Sequence, residues 1–422
     1  MKREKLKKEG KKWVKDGIIT DEQLEAILSK YVKRDQSYLL VLFAVLLMSI
    51  GILIFVFSDW AQVPNLTRLS VIVIFMLILY VVGSYFYSRN LNFRENVELS
   101  NSKSFDYDSN RHFQIYGISF ILLGYILFGA ILFLIINMYQ VNLFNVWPFI
   151  IWSIVGLLLY SVYEIYSLFV IALLITVFGQ LYSALAFSSF NLIIFLIFVF
   201  GYFYFVLRRN NPFYNYVFAI GLAIQILVAT IVALEQYYWF IFLTLLLYIL
   251  GKIIPKTALR NSLIYVSLLS IFIFKMYESF LLQEEYFVNE LVMEPGFFIG
   301  LGIVWIGAFI YEWRWNKSEL INLLLFIPFF FIPYSYIFII LSMFLFAIYW
   351  LIIGFQSNRD DKTIIGIISF LISTFTVYIQ FAWETLNKSL FFLLGGLLLF
   401  VISFILEKQR RKTEGKVGGH KK

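Results

Sequence analysis

The chain is dominated by apolar runs of about 14 to 22 residues that follow one another with short polar interruptions. A helix needs about 20 apolar residues to cross a hydrocarbon core about 30 Å thick. Inside a bilayer the backbone must pair its own polar groups, which limits spanning structures to helices and closed barrels. These runs are apolar at consecutive positions, whereas barrel strands alternate every second residue. The pattern therefore predicts an all-α fold, a polytopic bundle of transmembrane helices.

We count about fourteen candidate spans. They cover residues 38–58, 66–87, 115–136, 147–163, 168–187, 191–207, 216–234, 237–250, 263–281, 296–311, 320–333, 336–355, 364–379 and 390–406. The runs at 237–250 and 320–333 are short for a complete crossing, so a count that differs by one pair is the alternative. The fold class does not depend on this choice.

The composition also indicates that the lipid bilayer surrounds most of the chain. Hydrophobic residues make up 61% of the chain and charged residues 14%, which is too little polar surface for a soluble globule of 422 residues. Cysteine is absent and there are two histidines, which excludes disulfides and leaves little for Cys/His zinc sites. We therefore expect no metal and no cofactor, and the lipid bilayer is the first expected partner.

The net charge of +8 comes from lysine and arginine concentrated in alternate loops. With a cytoplasmic N-terminus, 31 of the 34 Lys and Arg lie on the cytoplasmic side, the exceptions being Arg68, Lys275 and Lys388. This asymmetry is typical of a correct topology, since a missing span would invert every later loop. The sequence predicts that both termini are cytoplasmic. A basic balance of this origin does not indicate nucleic acid as a partner.

Three regions follow from this topology. Residues 1–36 are expected to form a basic cytosolic helical hairpin, and residues 37–406 the transmembrane helical domain. Residues 407–422 form a basic cytosolic tail that we expect to be disordered. The first apolar run begins only at Tyr38 and is long enough to span, so we interpret it as a retained helix rather than a cleaved signal peptide.

The hairpin carries local signals for a turn and a helix start. Gly17 can adopt a left-handed turn conformation, and Thr20 followed by Gln23 has the spacing of a capping box. Apolar residues of the second helix share one face, against which Trp13 and Ile18 are expected to pack. The hairpin is either a docking or sensing site for a cytosolic protein or, as the favoured interpretation, a basic amphipathic piece that lies against anionic headgroups or against the protein's own loops. The candidate docking residues are Trp13, Ile18, Leu24, Leu28 and Tyr31.

Several charged residues lie at the predicted outer membrane boundary. Asp59 and Trp60 follow the first span and Arg68 opens the second, so an acid and a base face each other across a short turn. Charge near hydrocarbon is costly unless it is paired or functional, which makes these residues a candidate ion pair or substrate contact. The alternative is an interfacial anchor, because tryptophan is common at headgroup level.

Further candidates lie in the second half of the chain. Lys275 and Glu278 are spaced i, i+3 on one helix face and can pair, either in the membrane or at the outer interface. Glu235 is expected at an outer turn. Pro328 and Pro333 end the eleventh run early, which indicates either a broken helix of the kind that builds transport sites or, as the favoured interpretation, a kinked hairpin.

Parts of the first 190 residues resemble an uncharacterised bacterial membrane family, the one defined by the domain of unknown function 2157. The resemblance is carried by a leading hairpin, by an outer turn and by a later Phe-Gly-Ala stretch. These residues are Trp13, Gly17, Ile18, Ile19, Gln23, Ile27 and Tyr31, then Trp60, Pro64 and Arg68, then Phe128, Gly129, Ala130 and Tyr139. The chain has Asp59 where the family often has Asn, and Asn137 where it has Gln. The resemblance implies the bacterial cytoplasmic membrane and no settled activity.

Function is the open part of the sequence. Glycine-rich nucleotide loops, serine-hydrolase elbows and His-Glu zinc motifs are absent, so an enzyme is not favoured. The many spans and small outer loops favour a transporter or a translocase of a lipid-linked or small-molecule substrate, with a site near the outer boundary. The alternatives are an envelope regulatory or scaffold protein that uses its hairpin, and a lipid-linked-sugar glycosyltransferase that uses Asp59.

Overall fold

The structure is a computed structural model of the chain, and it describes the greater part of the sequence. Described are most of residues 9–24, isolated positions between 44 and 54, residues 63–100, 107–139, 146–209, 211–234, 236–255, 257–283, 294–357 and 360–382, and positions 393 and 397. The chain divides into two compact units, Met1–Leu143 and Phe144–Lys422. Each unit is described by itself.

Helices account for nearly all of the regular structure in these ranges, which confirms the all-α prediction. Unit 1 contains α1 (Asn65–Ser100) and α2 (Tyr107–Tyr139). Unit 2 contains α3 to α11 and one 3₁₀ helix. Their bounds are α3 Trp147–Tyr163, α4 Tyr166–Phe187, α5 Leu192–Arg209, α6 Pro212–Ala233, α7 Trp239–Ile253, α8 Thr257–Leu281, α9 Pro295–Trp315, the 3₁₀ helix Lys317–Phe326, α10 Ser335–Ser357 and α11 Asp360–Val377.

The N-terminal hairpin has the predicted turn and cap. Gly17 has a φ of 69°, the left-handed conformation that glycine adopts without steric cost. The amide of Thr20 donates to Gln23 Oε1 at 3.1 Å, and the amide of Gln23 donates to Thr20 Oγ1 at 3.2 Å, which is a reciprocal capping box. Leu24 is buried against Trp13, Val14 and Ile19. The prediction that Ile18 packs against Leu24 is wrong, because Ile18 is 68% exposed and Ile19 packs against Leu24 instead.

In unit 1, α1 and α2 pack as an antiparallel pair through small residues. A side chain at Gly117 would meet the backbone of Tyr87 at 2.7 Å and that of Gly83 at 3.0 Å, so the two helices touch backbone to backbone. Tyr80 covers Gly124 two turns further along α2. Close approach at glycine is a common way to associate helices in lipid, where burial of apolar area provides little driving force.

Unit 2 is organised around α8, which packs against α6, α7, α10 and α11. In the earlier part of the unit, Thr176 of α4 donates to Ser153 of α3 at 2.8 Å and lies 2.8 Å from the Tyr202 hydroxyl of α5. In the later part, α10 and α11 form a glycine-mediated pair. A side chain at Gly366 would meet the Leu351 backbone nitrogen at 2.5 Å, and one at Gly354 would meet that of Thr363 at 2.5 Å.

The described helices account for most of the predicted spans. Nine of them are long and apolar enough to cross a membrane, and the two shorter apolar helices Trp147–Tyr163 and Trp239–Ile253 coincide with two further runs. The run at 320–333 is not an α-helix, as shown below, and the first and last runs, 38–58 and 390–406, lie almost wholly outside the described residues. The chain is a multi-pass α-helical membrane protein, and the total of about fourteen spans stays a prediction.

Contacts between helices in unit 2 agree with the predicted alternation of sides. Arg209 forms an ion pair with Glu164, and both belong to predicted inner turns. Trp239 Nε1 donates to Glu294 Oε2 at 3.2 Å, and Gln380 Nε2 donates to the Ser279 carbonyl at 2.9 Å, both between predicted outer ends. Each contact joins ends that the charge distribution assigns to one side. The cytoplasmic placement of the two termini themselves stays a prediction.

The glycine contact between α10 and α11 predicts an asymmetry between two glycine substitutions. Gly366→Leu should destabilise the protein by about 1–3 kcal/mol or more, because the added side chain has to displace a neighbouring backbone. Gly307→Leu on α9 should cause no loss, since an added Cβ there meets no atom of the described part of the chain within 4 Å. Thermal unfolding of the two purified variants in one detergent measures the difference, and equal melting temperatures would show that the pair is not in close contact.

Candidate functional site

The break predicted at Pro328 and Pro333 is present, and it is more extensive than a kink. Residues 317–334, which we call the discontinuous segment, consist of the 3₁₀ helix Lys317–Phe326 followed by irregular backbone up to the start of α10. Runs of 3₁₀ helix longer than three or four residues are uncommon. Tyr334, the last residue of the segment, has a φ of 56°, a left-handed conformation that a bulky side chain rarely adopts. The favoured interpretation as a kinked hairpin was wrong.

The discontinuous segment is enclosed by four helices, α7, α8, α9 and α10. Its buried residues are Asn322, Leu323, Leu325, Phe326 and Phe330. Non-helical backbone is tolerated at membrane depth only where protein buries it or where it lines a polar cavity, because lipid offers no hydrogen bonds. The four surrounding helices provide that environment, and three of them, α7, α8 and α9, bring charged side chains to it.

One group of charges lies at the N-terminal end of the segment, and we call it the inner cluster: Lys252, Glu312, Glu319, Tyr248 and Asn322. Lys252 Nζ lies 2.7 Å from Glu312 Oε1 and 2.5 Å from Glu319 Oε2. Tyr248 donates from its hydroxyl to Glu312 Oε1 at 2.7 Å. The lysine and Glu312 are almost fully buried. One ammonium is thus shared between two carboxylates contributed by α9 and by the segment.

Asn322 connects the inner cluster to α10. Its amide Nδ2 donates to the Tyr248 hydroxyl at 3.2 Å, and Trp350 Nε1 donates to Asn322 Oδ1 at 2.9 Å. Asn322 is completely buried, so these bonds form in a low-dielectric interior where they are electrostatically strong. The Asn322 amide therefore serves as an interhelical hydrogen-bond link. The segment is thereby tied to α7 on one side and to α10 on the other.

A second group lies at the C-terminal end of the 3₁₀ helix, and we call it the outer cluster: Lys275, Glu278 and the Ile327 carbonyl. Lys275 Nζ lies 2.7 Å from Glu278 Oε2 and donates to the Ile327 carbonyl at 3.0 Å. Both charged side chains have 0% exposure. The predicted i, i+3 pair is therefore confirmed in its buried form, and the alternative at the outer interface is wrong.

The two clusters lie at opposite ends of the 3₁₀ helix. With a rise of about 2 Å per residue, Glu319 and Ile327 are separated by about 15 Å along the segment. The inner cluster contains one cation and two carboxylates, and the outer cluster one of each. Each also keeps one buried carboxylate oxygen, Glu312 Oε2 or Glu278 Oε1, without a hydrogen bond to a described residue. The segment is therefore flanked by acceptors that can take a further donor.

The structure brings together some of the predicted site residues and not others. Lys275, Glu278 and Pro328 meet at the outer cluster, where Pro328 directly follows the carbonyl that Lys275 binds. Arg68 lies in the first turn of α1 in unit 1, with its amide bonded to the Pro64 carbonyl at 3.0 Å. Asp59, Trp60, Glu235, Leu28 and Tyr31 lie outside the described residues.

The inner cluster was not predicted from the sequence. The predicted span 296–311 stops one residue before Glu312, whereas α9 continues to Trp315 and carries Glu312 into the interior. Tyr248 and Lys252 are spaced i, i+4 on α7, which was the available signal for a polar face at that helix end. Within the described ranges no three His, Cys, Asp or Glu side chains form a group that could hold a metal ion. The chemistry available is charge pairing and hydrogen bonding.

These features define a class: a multi-pass α-helical membrane protein with a polar, discontinuous segment inside its second unit. The family described as "Predicted membrane protein (DUF2157)" matches residues 11–169, which confirms the resemblance inferred from the hairpin and the following spans. The discontinuous segment lies after the matched region. No curated protein and no solved structure matches the chain.

The buried pair at the outer cluster predicts a non-additive stability effect. Lys275→Met should destabilise the protein by about 3–5 kcal/mol, because it leaves Glu278 buried without its counter-charge. The double variant Lys275→Met, Glu278→Met should recover most of that loss, since no uncompensated charge remains. Lys317→Met, at an exposed position, is the control and should change little. Unfolding in detergent measures all three, and additive losses would contradict a buried, coupled pair.

Proposed function

We propose that the chain is a transporter whose substrate path follows the discontinuous segment of unit 2. The observation that supports this most directly is the pair of buried ionic clusters at the two ends of one irregular segment. Broken helices expose backbone polar groups in the middle of a membrane, and transporters use them to bind substrates and ions. The proposed site lies in the interior of the second unit, whereas the sequence predicted a site near the outer membrane boundary.

Energetics favour a functional reason for these charges. Desolvating an ion costs several kcal/mol, and a buried ion pair is often no more stable than apolar residues of similar volume. Charges inside membrane helices are therefore rare and mark substrate or ion pathways by default. Here five buried or half-buried ionic side chains contact one segment of the chain or its immediate partners. Lys275 and Glu278 lie within the predicted span 263–281, and the other three lie at the inner ends of predicted spans. Structural stability alone does not require this arrangement.

Between the two clusters the path is closed by aromatic and aliphatic packing. Phe326 lies 5.7 Å from the Tyr248 ring, and beyond the outer cluster Phe330 stacks on Tyr238 with ring centroids 5.1 Å apart. Leu323 and Leu325 are buried on the same stretch. Transport then requires the segment to change its packing, and irregular backbone that ends in a strained Tyr334 is suited to such a change.

The chain contains no cysteine, so single-cysteine variants give a direct test of the path. Ile327→Cys, next to the outer cluster, should react with a membrane-impermeant maleimide added from either side. The measurement uses inverted vesicles and right-side-out vesicles of the same cells. Two-sided reactivity is the expected result because alternating access opens the same position to each compartment in turn.

Three control positions make the result interpretable. Lys317→Cys should react only in inverted vesicles and Glu294→Cys only in right-side-out vesicles, as the predicted topology requires. Ile303→Cys on the lipid-facing side of α9 should react in neither, since a thiolate does not form in hydrocarbon. If Ile327→Cys reacts from one side alone, or from neither side, while these controls behave as stated, the transporter proposal is wrong.

A further inference from the structure

A small cavity adjoins the inner cluster. It has a volume of about 180 Å³ and is lined by polar residues of α7, α8 and the region around the start of the segment. The polar lining residues are Lys252, Arg260, Asn261, Tyr265, Tyr311, Asn316 and Glu319. Asn261 and Asn316 are exposed, whereas Lys252 is only 7% exposed. The cavity thus leads from a polar rim to a buried cation at its floor.

Arg260 and Glu319 carry opposite charges on the walls of this cavity and do not pair with each other. Glu319 on the segment pairs with Lys252, which also binds Glu312. Arg260 on α8 donates from Nε to the Ile254 carbonyl at 3.2 Å, and no carboxylate of the described residues lies within ion-pair distance of it. Arg260 and Glu319 therefore line one cavity without pairing with each other. A ligand that carries both charges can bridge them.

Charge balance distinguishes between ligand classes. Three charged side chains line the cavity: the cations Lys252 and Arg260 and the carboxylate Glu319. Glu312 does not line it but pairs with Lys252 at 2.7 Å, so these four charges together sum to zero. A bound anion or cation would leave one uncompensated charge in a partly buried site, which is costly. A zwitterion keeps the site neutral and places a carboxylate near Arg260 and an ammonium near Glu319. Guanidinium binding of a carboxylate can be bidentate, which adds geometric selectivity.

The size and the remaining lining agree with a small zwitterion. Pockets for drug-sized ligands have volumes of about 300–1,000 Å³, so about 180 Å³ suits a solute of a few heavy atoms. Trp350 and Tyr311 contribute aromatic surface to the same cavity. An aromatic ring near a cationic group adds a favourable cation–π interaction, and it gives an apolar contact to a short side chain.

We propose that this cavity binds a free α-amino acid, with its carboxylate on Arg260 and its ammonium on Glu319. This names the substrate class of the proposed transporter and rests on that function for its physiological role, while binding itself can be measured without transport. The assignment follows from neutrality, separation of charge and volume.

The test uses the purified full-length chain in detergent. The twenty free amino acids are added one at a time, and melting temperature and tryptophan fluorescence are recorded. At least one amino acid should raise the melting temperature in a concentration-dependent way. Its N-acetyl derivative and its carboxamide, each of which lacks one of the two charges, should not. If no free amino acid stabilises the protein, or if both derivatives stabilise it equally, the proposal is overturned.

Variants assign the two charges to their partners. Arg260→Gln and Glu319→Gln should each weaken binding about tenfold or more, since each removes one charge-assisted contact. Glu319→Gln leaves Lys252 paired with Glu312 at 2.7 Å, so the fold is expected to survive. Arg314→Gln, an exposed arginine of the same region, is the matched control and should bind normally. Unchanged binding in both cavity variants would overturn the assignment.

The outcomes separate this inference from the proposed function. If a free amino acid binds but Ile327→Cys reacts from one side only, the zwitterion site is supported and the transporter proposal is rejected. Two-sided reactivity without binding of any free amino acid would retain the transporter and reject the zwitterion as its substrate.

Discussion

A backbone that leaves the α-helix inside a bilayer loses the hydrogen bonds that lipid cannot replace, and this constraint governs unit 2. The discontinuous segment has both a 3₁₀ helix and irregular residues, so its carbonyl and amide groups need partners from elsewhere in the protein. The four helices that enclose it provide a protected environment. The contact of Lys275 with the Ile327 carbonyl is a direct response to this shortage of hydrogen bonds.

Side chains replace part of the missing backbone pairing. Lys275 donates to the Ile327 carbonyl directly before Pro328, where proline has no amide hydrogen to continue a helical ladder. Asn322 bonds to Tyr248 and Trp350 and so fixes the buried middle of the 3₁₀ helix between two neighbours. Each solution brings a polar or charged group into the interior. The polar character of the site is thus a consequence of the irregular backbone, and it also makes that backbone usable for binding.

Local patterns were predictable from the sequence, and contacts between distant helices were not. Hydropathy gave the helices, the i, i+3 spacing gave the Lys275–Glu278 pair, and Thr20 with Gln23 gave the capping box, because each depends on neighbours within one or two turns. Lys252, Glu312 and Glu319 come from three separate elements. The hydrophobic periodicity of a single run cannot predict a contact between side chains of three separate elements. Ile19, and not Ile18 as predicted, packs in the hairpin core, because the turn geometry that decides between them is not specified by residue type alone.

The close contact between α10 and α11 has a mechanical consequence. Because Gly354 and Gly366 bring the two backbones together, we expect the pair to move as one stiff body rather than as two independent helices. The pair begins immediately after Tyr334, so we expect that strained residue to be the pivot of such a movement. A small rotation of the backbone at this point would swing the far end of the pair by a larger displacement. The glycines therefore couple a local torsion to movement across the full thickness of the membrane.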